Sequence, residues 1–195
     1  NPAGVWGAQN SGTPSYIYSI SAYNDSIVWA AGQNNTVLQS TNGGQTWMPV
    51  PLPFIAPSPS NYNVFSIVAT SSTTAVVSVT PNNGVGSYIY YYNGTTWNQV
   101  YSGATSLNAM TVSGNRDVWA VGRNGTIIHC ENILNPGACT WTPVITSISD
   151  SFSTVATFDG QTIWIGGLST SGLLYKITTP DNGATWNAPV FVNTG

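Results

Sequence analysis

The chain has very few charged residues. Asp, Glu, Lys and Arg together make up 5% of its 195 residues, against about 25% in an average soluble domain. The only cations are Arg116, Arg123 and Lys176, so the sequence lacks the basic cluster that binds nucleic-acid phosphates or an anionic membrane surface. Nucleic-acid binding is therefore excluded from the predicted functions.

Long apolar runs are also missing. None approaches the roughly 18 residues that a membrane-spanning helix needs, so we predict no membrane insertion. Hydrophobic residues still make up 42% of the chain, which predicts one packed domain. The chain starts at Asn1 with neither an initiator methionine nor a secretory leader, and we expect it to be a processed or excerpted piece.

The chain contains two cysteines, Cys130 and Cys139. A Pro-Gly loop separates them and strand-like runs flank both, which predicts a disulfide across a hairpin. His129 adjoins the first cysteine, but two thiols and one imidazole lack a fourth ligand of recognisable spacing. We therefore predict neither a metal nor a cofactor, and interpret His129 as a surface strand residue. A disulfide and so little charge favour a secreted or cell-surface protein.

The sequence contains an internal repeat. Val-Trp-Ala-Ala-Gly at 28–32 returns as Val-Trp-Ala-Val-Gly at 118–122 and as Ile-Trp-Ile-Gly-Gly at 163–167. The tryptophan that is missing from the second unit falls near Val77. A Thr-Trp pair marks all four units, with its tryptophan at Trp47, Trp97, Trp141 and Trp186.

Apolar residues within each unit alternate with a period of two or form short β-branched runs, which indicates strands. Four strands in about 45 residues, joined by hairpin turns, are typical of a β-propeller blade. The prediction is an all-β fold, a single β-propeller over 1–195 with four blades of four antiparallel strands. The approximate blades are 14–51, 62–101, 106–146 and 151–192, and an extra N-terminal strand covers 4–10.

Two segments carry a family resemblance. Residues 40–47, Ser-Thr-Asn-Gly-Gly-Gln-Thr-Trp, resemble the Asp-box of sialidase-type (BNR) propellers with Asn in place of Asp, and residues 179–186 keep the Asp. Residues 119–127 are similar to photosystem II assembly-factor-like repeats and related secreted bacterial propellers. The resemblance implies a structural turn formed by Ser40, Asn42, Gly44, Thr46 and Trp47, and by Asp181, Gly183, Thr185 and Trp186.

The resemblance also divides the ionisable residues between two ends of the propeller. Ligands of the family sit at the end formed by the turns between the second and third strands and by the links between blades, where only Asp150 and Arg123 fall. A glycosidase needs two carboxyl groups about 5 to 9.5 Å apart, and a sialidase needs converging arginines. We therefore predict no catalysis. The other ionisable residues considered are predicted to lie at the opposite end: Asp25, Arg116, Asp117, Glu131, Asp159 and Asp181.

Binding is the remaining function. The proline-rich link 51–63 and the asparagine-rich turns offer aromatic and amide groups to a ligand, although core packing and ordinary hairpin chemistry explain many of the same residues. The predicted function is extracellular recognition of a glycan or a protein surface. The alternatives are an excerpt of a larger Asp-box glycoside hydrolase and a structural unit of a surface assembly. The candidate ligand residues are Phe54, Tyr62, Asn82, Asn83, Arg123, Asn124 and Asp150.

Ring closure is a separate question. The segment 4–10 and the segment 185–192 both read as the fourth strand of a blade and cannot occupy one position. Either one of them is an added edge strand on a closed four-blade ring, or the chain belongs to a larger ring completed by further blades or by self-association. We favour the second interpretation.

Overall fold

The computed structural model describes residues 7–53, 62–114, 116–135, 139–144, 147–168, 173–180 and 185–192. These residues contain sixteen β-strands and no helix, so nothing in the described part is a helix able to span a membrane. The strands form four four-stranded antiparallel sheets, each made of four consecutive strands. The predicted all-β propeller fold with four blades is confirmed.

Each blade runs outward in chain order from its first strand to its fourth. Blade 1 consists of β1 (Ile17–Ala22), β2 (Val28–Gly32), β3 (Val37–Ser40) and β4 (Met48–Pro49). Blade 2 consists of β5 (Tyr62–Ala69), β6 (Ala75–Pro81), β7 (Ser87–Tyr92) and β8 (Trp97–Gly103). Blade 3 consists of β9 (Leu107–Val112), β10 (Val118–Gly122), β11 (Ile127–Cys130) and β12 (Thr142–Pro143). Blade 4 consists of β13 (Phe152–Thr157), β14 (Thr162–Gly167), β15 (Leu174–Thr178) and β16 (Val190–Phe191).

The first strand of every blade contains a β-bulge at the same place. The register against the second strand shifts by one residue near the start of the first strand, as expected where two residues oppose one. Because the bulge recurs in all four blades, it aligns them residue by residue. The bulge residues are Tyr18, Phe65, Asn108 and Ser153.

The hydrophobic core lies between successive blades. Three buried clusters join blade 1 to 2, blade 2 to 3 and blade 3 to 4. In the first cluster the Trp29 ring meets Trp97 of the next blade at 6.3 Å, edge to face. In the third cluster Trp119 meets Trp186 at 4.4 Å in the same way. The repeated tryptophans of the second strand therefore pack on the Thr-Trp tryptophans of the following blade.

Serine hydroxyls also connect the first strands of neighbouring blades. The Ser19 and Ser21 hydroxyls of β1 accept hydrogen bonds from the backbone N–H groups of Ile67 and Ala69 in β5, at 3.1 and 3.0 Å. The Ser66 hydroxyl of β5 accepts from Met110 N–H in β9 at 2.9 Å. These bonds satisfy backbone donors that the blade itself leaves unpaired.

Two further sequence predictions are visible here. Cys130 and Cys139 form the predicted disulfide, with their Cα atoms 5.5 Å apart. The described half of the predicted N-terminal strand, residues 7–10, has no strand structure, and residues 4–6 lie outside the described residues. No residue from 7 to 16 is part of a sheet.

Candidate binding face

The two ends of the propeller differ in what forms them. One end, here called the link face, consists of the turns 33–36, 81–86 and 123–126 and of the blade links 104–106 and 147–151. The other end, here called the turn face, consists of the turns between first and second strands and between third and fourth strands. This assignment follows from strand order and direction.

Backbone hydrogen bonds fasten the link-face turns to neighbouring links. The Gly125 N–H donates to Asp150 O at 2.7 Å, and the Asn35 N–H donates to Tyr62 O at 3.1 Å. Asn34, Asn35 and Asn124 have positive φ angles, which asparagine tolerates better than most residues. The asparagine-rich turns are therefore built partly for tight chain reversal.

Arg123 is exposed on this face and lies beside the turn of the preceding blade. A Cβ atom added to Gly84 would lie 3.4 Å from Arg123 Nη1, so the guanidinium rests against that turn. Asn82 and Asn83 precede Gly84 and are both exposed. The structure therefore brings together four polar groups from two blades, namely Asn82, Asn83, Arg123 and the exposed Asn124.

Asp150 is half-buried and engaged by a residue that sequence reasoning missed. The Tyr175 hydroxyl donates to Asp150 Oδ2 at 2.7 Å, and this hydrogen bond is the main cause of a raised Tyr175 pKa. Tyr175 lies in β15 of the same blade. Asp150 therefore already has a partner and is less available to a ligand than Arg123.

The two aromatic candidates from the proline-rich link contribute little. Tyr62 is buried in the core between blades 1 and 2, with its ring 6.4 Å from Tyr88, so little of the ring remains for stacking on a ligand. Phe54 lies outside the described residues. Of the link 51–63, residues 54–61 lie outside the described residues.

A different aromatic pair, of which one ring is exposed and the other half-buried, lies at the same end. The bulge residues Tyr18 and Phe65 stack with ring centroids 5.5 Å apart and an interplanar angle of 15°, and Tyr18 is exposed. Both lie in the first half of an innermost strand, which is the half nearer the link face. The two residues occupy the same position in the repeat, but this is visible only after the blades are aligned at the bulge.

Among the described residues, the carboxylates outside this face lie on the turn face, as predicted from the sequence, and Asp181 lies outside the described residues. Asp117 Oδ1 accepts from the Asn132 N–H at 2.9 Å, which joins two turn-face loops of blade 3. Arg116 Nη1 donates to Thr70 O, 3.5 Å away in the turn-face loop of blade 2. Within the described residues, Asp150 is the one carboxylate at the link face, and no group of three potential metal ligands occurs.

The Asp-box-like turn of blade 1 is closed by its own side chains. Asn42 Oδ1 accepts from the Thr46 N–H at 2.9 Å, and Asn42 Nδ2 donates to Thr46 Oγ1 at 2.8 Å. The Ser40 hydroxyl accepts from the Gly44 N–H at 2.8 Å, and Trp47 follows directly. These bonds support the predicted structural role. In the second motif Thr185 and Trp186 are described, whereas Asp181 and Gly183 lie outside the described residues.

His129 is buried, so its interpretation as a surface residue was wrong. Its ring stacks on Trp119 at 4.1 Å and meets Trp186 at 5.8 Å, edge to face. Burial lowers the pKa of His129, and Asp117 opposes that shift. The strand that carries it is covered by blade 4, which the alternation within one blade could not reveal.

Comparisons with known proteins show the fold and no family. No protein-family model and no curated protein matches the chain. Among solved structures, the chain is similar to YCF48 bound to D1 peptide, with 17% identity and a TM-score of 0.67 over 96% of this chain and 57% of that chain. The WD40 repeats of RRP9 match at 9% identity and a TM-score of 0.63 over 92% and 52%.

A third similar structure is PorZ, a bacterial surface component of the type-IX secretion system of Porphyromonas gingivalis. It matches at 15% identity and a TM-score of 0.53, over 89% of this chain and 21% of PorZ. The chain thus spans less than two thirds of each of these structures. The neighbours include WD40 propellers, and the sialidase-type Asp-box relationship is not confirmed.

Proposed function

We propose that the chain is a non-catalytic module that binds a protein partner through its link face. The observation that carries this proposal is the exposed Arg123 guanidinium, which lies against the Asn82–Gly84 turn of another blade. A guanidinium held beside amide groups suits a carboxylate, because its planar N–H groups form paired, charge-assisted hydrogen bonds.

An extended peptide with an acidic side chain or a free C-terminus is the ligand of this chemistry. The stacked Tyr18 and Phe65 rings offer an apolar surface at the same end, and aromatic residues with Arg dominate many protein interfaces. YCF48, which shares the fold, has been solved with a peptide bound. That likeness supports peptide binding as a function that this architecture can perform.

Glycan recognition is the second candidate. The exposed amides of Asn34, Asn82, Asn83 and Asn124 can bond to sugar hydroxyls, and the exposed Tyr18 ring can stack on a sugar. A secreted or cell-surface location is part of both proposals. The disulfide supports it, because disulfides persist in oxidising compartments.

Selection from a random-peptide display library, with the 195-residue chain as bait, tests the proposal. We expect enrichment of peptides that carry carboxylates and apolar residues. Arg123→Gln should weaken binding by about 10- to 100-fold, as for a charged hydrogen-bonded pair. The matched control is Arg116→Gln, which makes the same substitution on the turn face.

Equal binding by wild type and Arg123→Gln would contradict the assigned site, and the absence of any enriched peptide would contradict peptide binding. A glycan array probed with the same proteins decides the second candidate. Glycan binding without peptide binding would replace the first proposal by the second.

A further inference from the structure

The face of blade 4 that points away from blade 3 carries an exposed tryptophan at a position that the other blades bury. In each blade, the residue three positions after the bulge pairs with one residue of the second strand. These second-strand residues are Trp29, Val76, Trp119 and Trp164 in blades 1 to 4. The first three are 0% exposed because the following blade covers them, whereas Trp164 is 40% exposed. Blade 4 therefore presents the tryptophan side of a blade–blade interface with no described blade on it.

The face of blade 1 that points away from blade 2 has no described blade on it either, and it is the opposite side of the same type of interface. Two positions after the bulge stand Ile67, Met110 and Val155, which are 2%, 7% and 7% exposed because the preceding blade covers them. Ile20 holds this position in blade 1 and is 67% exposed. No strand of blade 4 packs substantially on a strand of blade 1 in the described part of the chain.

Hydrogen-bonding groups at the two ends match as well. The residue after the bulge supplies a hydroxyl to the next blade in blades 1 and 2, where Ser19 and Ser66 accept from Ile67 N–H and Met110 N–H. Thr154 occupies this position in blade 4 and is exposed. The backbone N–H of Ile20 occupies the receiving position in blade 1, so one end provides the acceptor and the other the donor.

Open pockets mark both ends where the aromatic contact would form. Trp164, Phe158 and Ala156 line a pocket of about 360 Å³ on blade 4, where Lys176 lies 5.4 Å over the Trp164 ring. On blade 1, Trp47 and Leu38 line a pocket of about 310 Å³ that the N-terminal residues Ser11–Thr13 border on one side. Trp47 is the Thr-Trp tryptophan of blade 1, and in blades 2 and 4 that residue receives the tryptophan of the preceding blade.

We propose that blade 4 of one copy packs on blade 1 of a second copy, head to tail, so that two four-blade arcs close one ring. The occupant is a second copy because each end is half of an interface that the chain already builds three times. A heterologous contact of this kind forms a closed ring when the rotation returns to the start.

Sedimentation velocity over a dilution series of the wild-type chain is the first measurement and needs no variant. We expect a species of twice 20.6 kDa that dissociates on dilution. Ile20→Glu and Trp164→Glu each place a charge in the interface. Each should raise the dissociation constant by about 30-fold or more, as expected for a residue at the centre of an interface.

Mixing these two variants identifies the head-to-tail arrangement. Ile20→Glu keeps an intact blade 4 end and Trp164→Glu keeps an intact blade 1 end, so the mixture should recover a 1:1 dimer with one interface. The matched control is Val85→Glu, since Val85 is 66% exposed but lies in a turn of blade 2. It should dimerise like the wild type, and circular dichroism should show native strand content for all variants.

Three results would overturn the proposal. A wild-type chain that stays monomeric at every concentration would show that something other than a second copy covers these ends. A dimer that survives both substitutions would use another surface. Variants that are each monomeric but do not associate on mixing would indicate a symmetric contact instead of a head-to-tail contact.

Discussion

At the scale of single residues, the environment of His129 depends on the neighbouring blade. Its ring stacks on Trp119 and meets Trp186 edge to face, and Nε2 is buried without a hydrogen-bond partner in the described structure. A protonated imidazole would be poorly solvated in this position. The folded state therefore holds His129 neutral over a wider pH range than the unfolded chain does.

This environment predicts a pH dependence of stability. The unfolded histidine takes up a proton near its usual pKa of about 6.5, whereas burial lowers the pKa of the folded one. The stability present above that usual pKa is lost as pH falls from it towards the folded pKa, by at most about 1.4 kcal/mol per pH unit. Urea unfolding between pH 7.5 and 5.5 measures this loss.

The variant His129→Phe keeps an aromatic ring on Trp119 and removes the titrating group. Its stability should vary less than that of the wild type over the same pH range, where most carboxylates remain ionised. Identical pH slopes for the two proteins would show that His129 does not cause the effect.

The candidate site shows what single residues reveal and what they conceal. Arg123 and the asparagine-rich turns were predictable, because hairpin chemistry locates the turns and strand order assigns them to one end. Tyr62 was misleading, since its burial depends on blade 1 packing over it. The Tyr18–Phe65 pair joins residues 47 positions apart in neighbouring blades, and no local pattern links them.

At the scale of structural elements, the second strand of blades 1 and 3 ends in a glycine because a side chain does not fit there. A Cβ atom on Gly122 would collide with the backbone O of Ser106, and one on Gly32 would collide with Tyr16 O. Both glycines lie opposite the bulge, where the first strand approaches closely. In blade 2, where pairing continues past the bulge to Tyr62 and Pro81, the position holds Val79.

Replacing this glycine should therefore disturb the blade. We expect Gly122→Ala to lower the free energy of unfolding by about 1 to 3 kcal/mol through overpacking. Gly114→Ala is the control, because no atom lies within 4 Å of its added Cβ. Chemical denaturation of both variants provides the comparison, and equal midpoints would mean that the bulge relaxes at no cost.

The hairpin between β11 and β12 depends on its disulfide. Cys130 is buried in the core between blades 2 and 3, and Cys139 packs at the edge of the same core. Replacing both by alanine should lower stability by about 2 to 3 kcal/mol, since the bond constrains a short loop of the unfolded chain. Thermal unfolding with and without reductant measures this, and reductant should not affect the double variant.

A wild-type midpoint that is unchanged by full reduction would show that the loop is ordered by packing alone. The bond itself was predictable from two cysteines on either side of a turn. Its place in an inter-blade core was not predictable, because that core is shared with residues of blade 2 such as Val76 and Tyr91.

At the scale of the whole molecule, the propeller was the most predictable feature. Repeated Trp motifs and period-two patterns define four similar units, and similar sheets bury their faces by stacking on one another. The order of the units around an axis follows from the chain. Closure does not follow, because a repeat pattern does not reveal whether its first and last faces meet.

Ring closure matters for function because of the two end faces of the arc. A four-blade arc with Ile20 and Trp164 exposed at its ends leaves apolar surface in water, which proteins usually cover. A head-to-tail dimer would cover both ends and present two copies of the Arg123 site on one link face. Binding of a bivalent partner would then gain from effective concentration.

Electron microscopy of the chain at a concentration at which it is associated is the most direct test of this architecture. Views along the ring axis should show one closed ring of eight blades with two-fold symmetry, and Trp164→Glu should leave four-blade arcs. Wild-type particles that are isolated arcs, or arcs joined other than end to end, would contradict it.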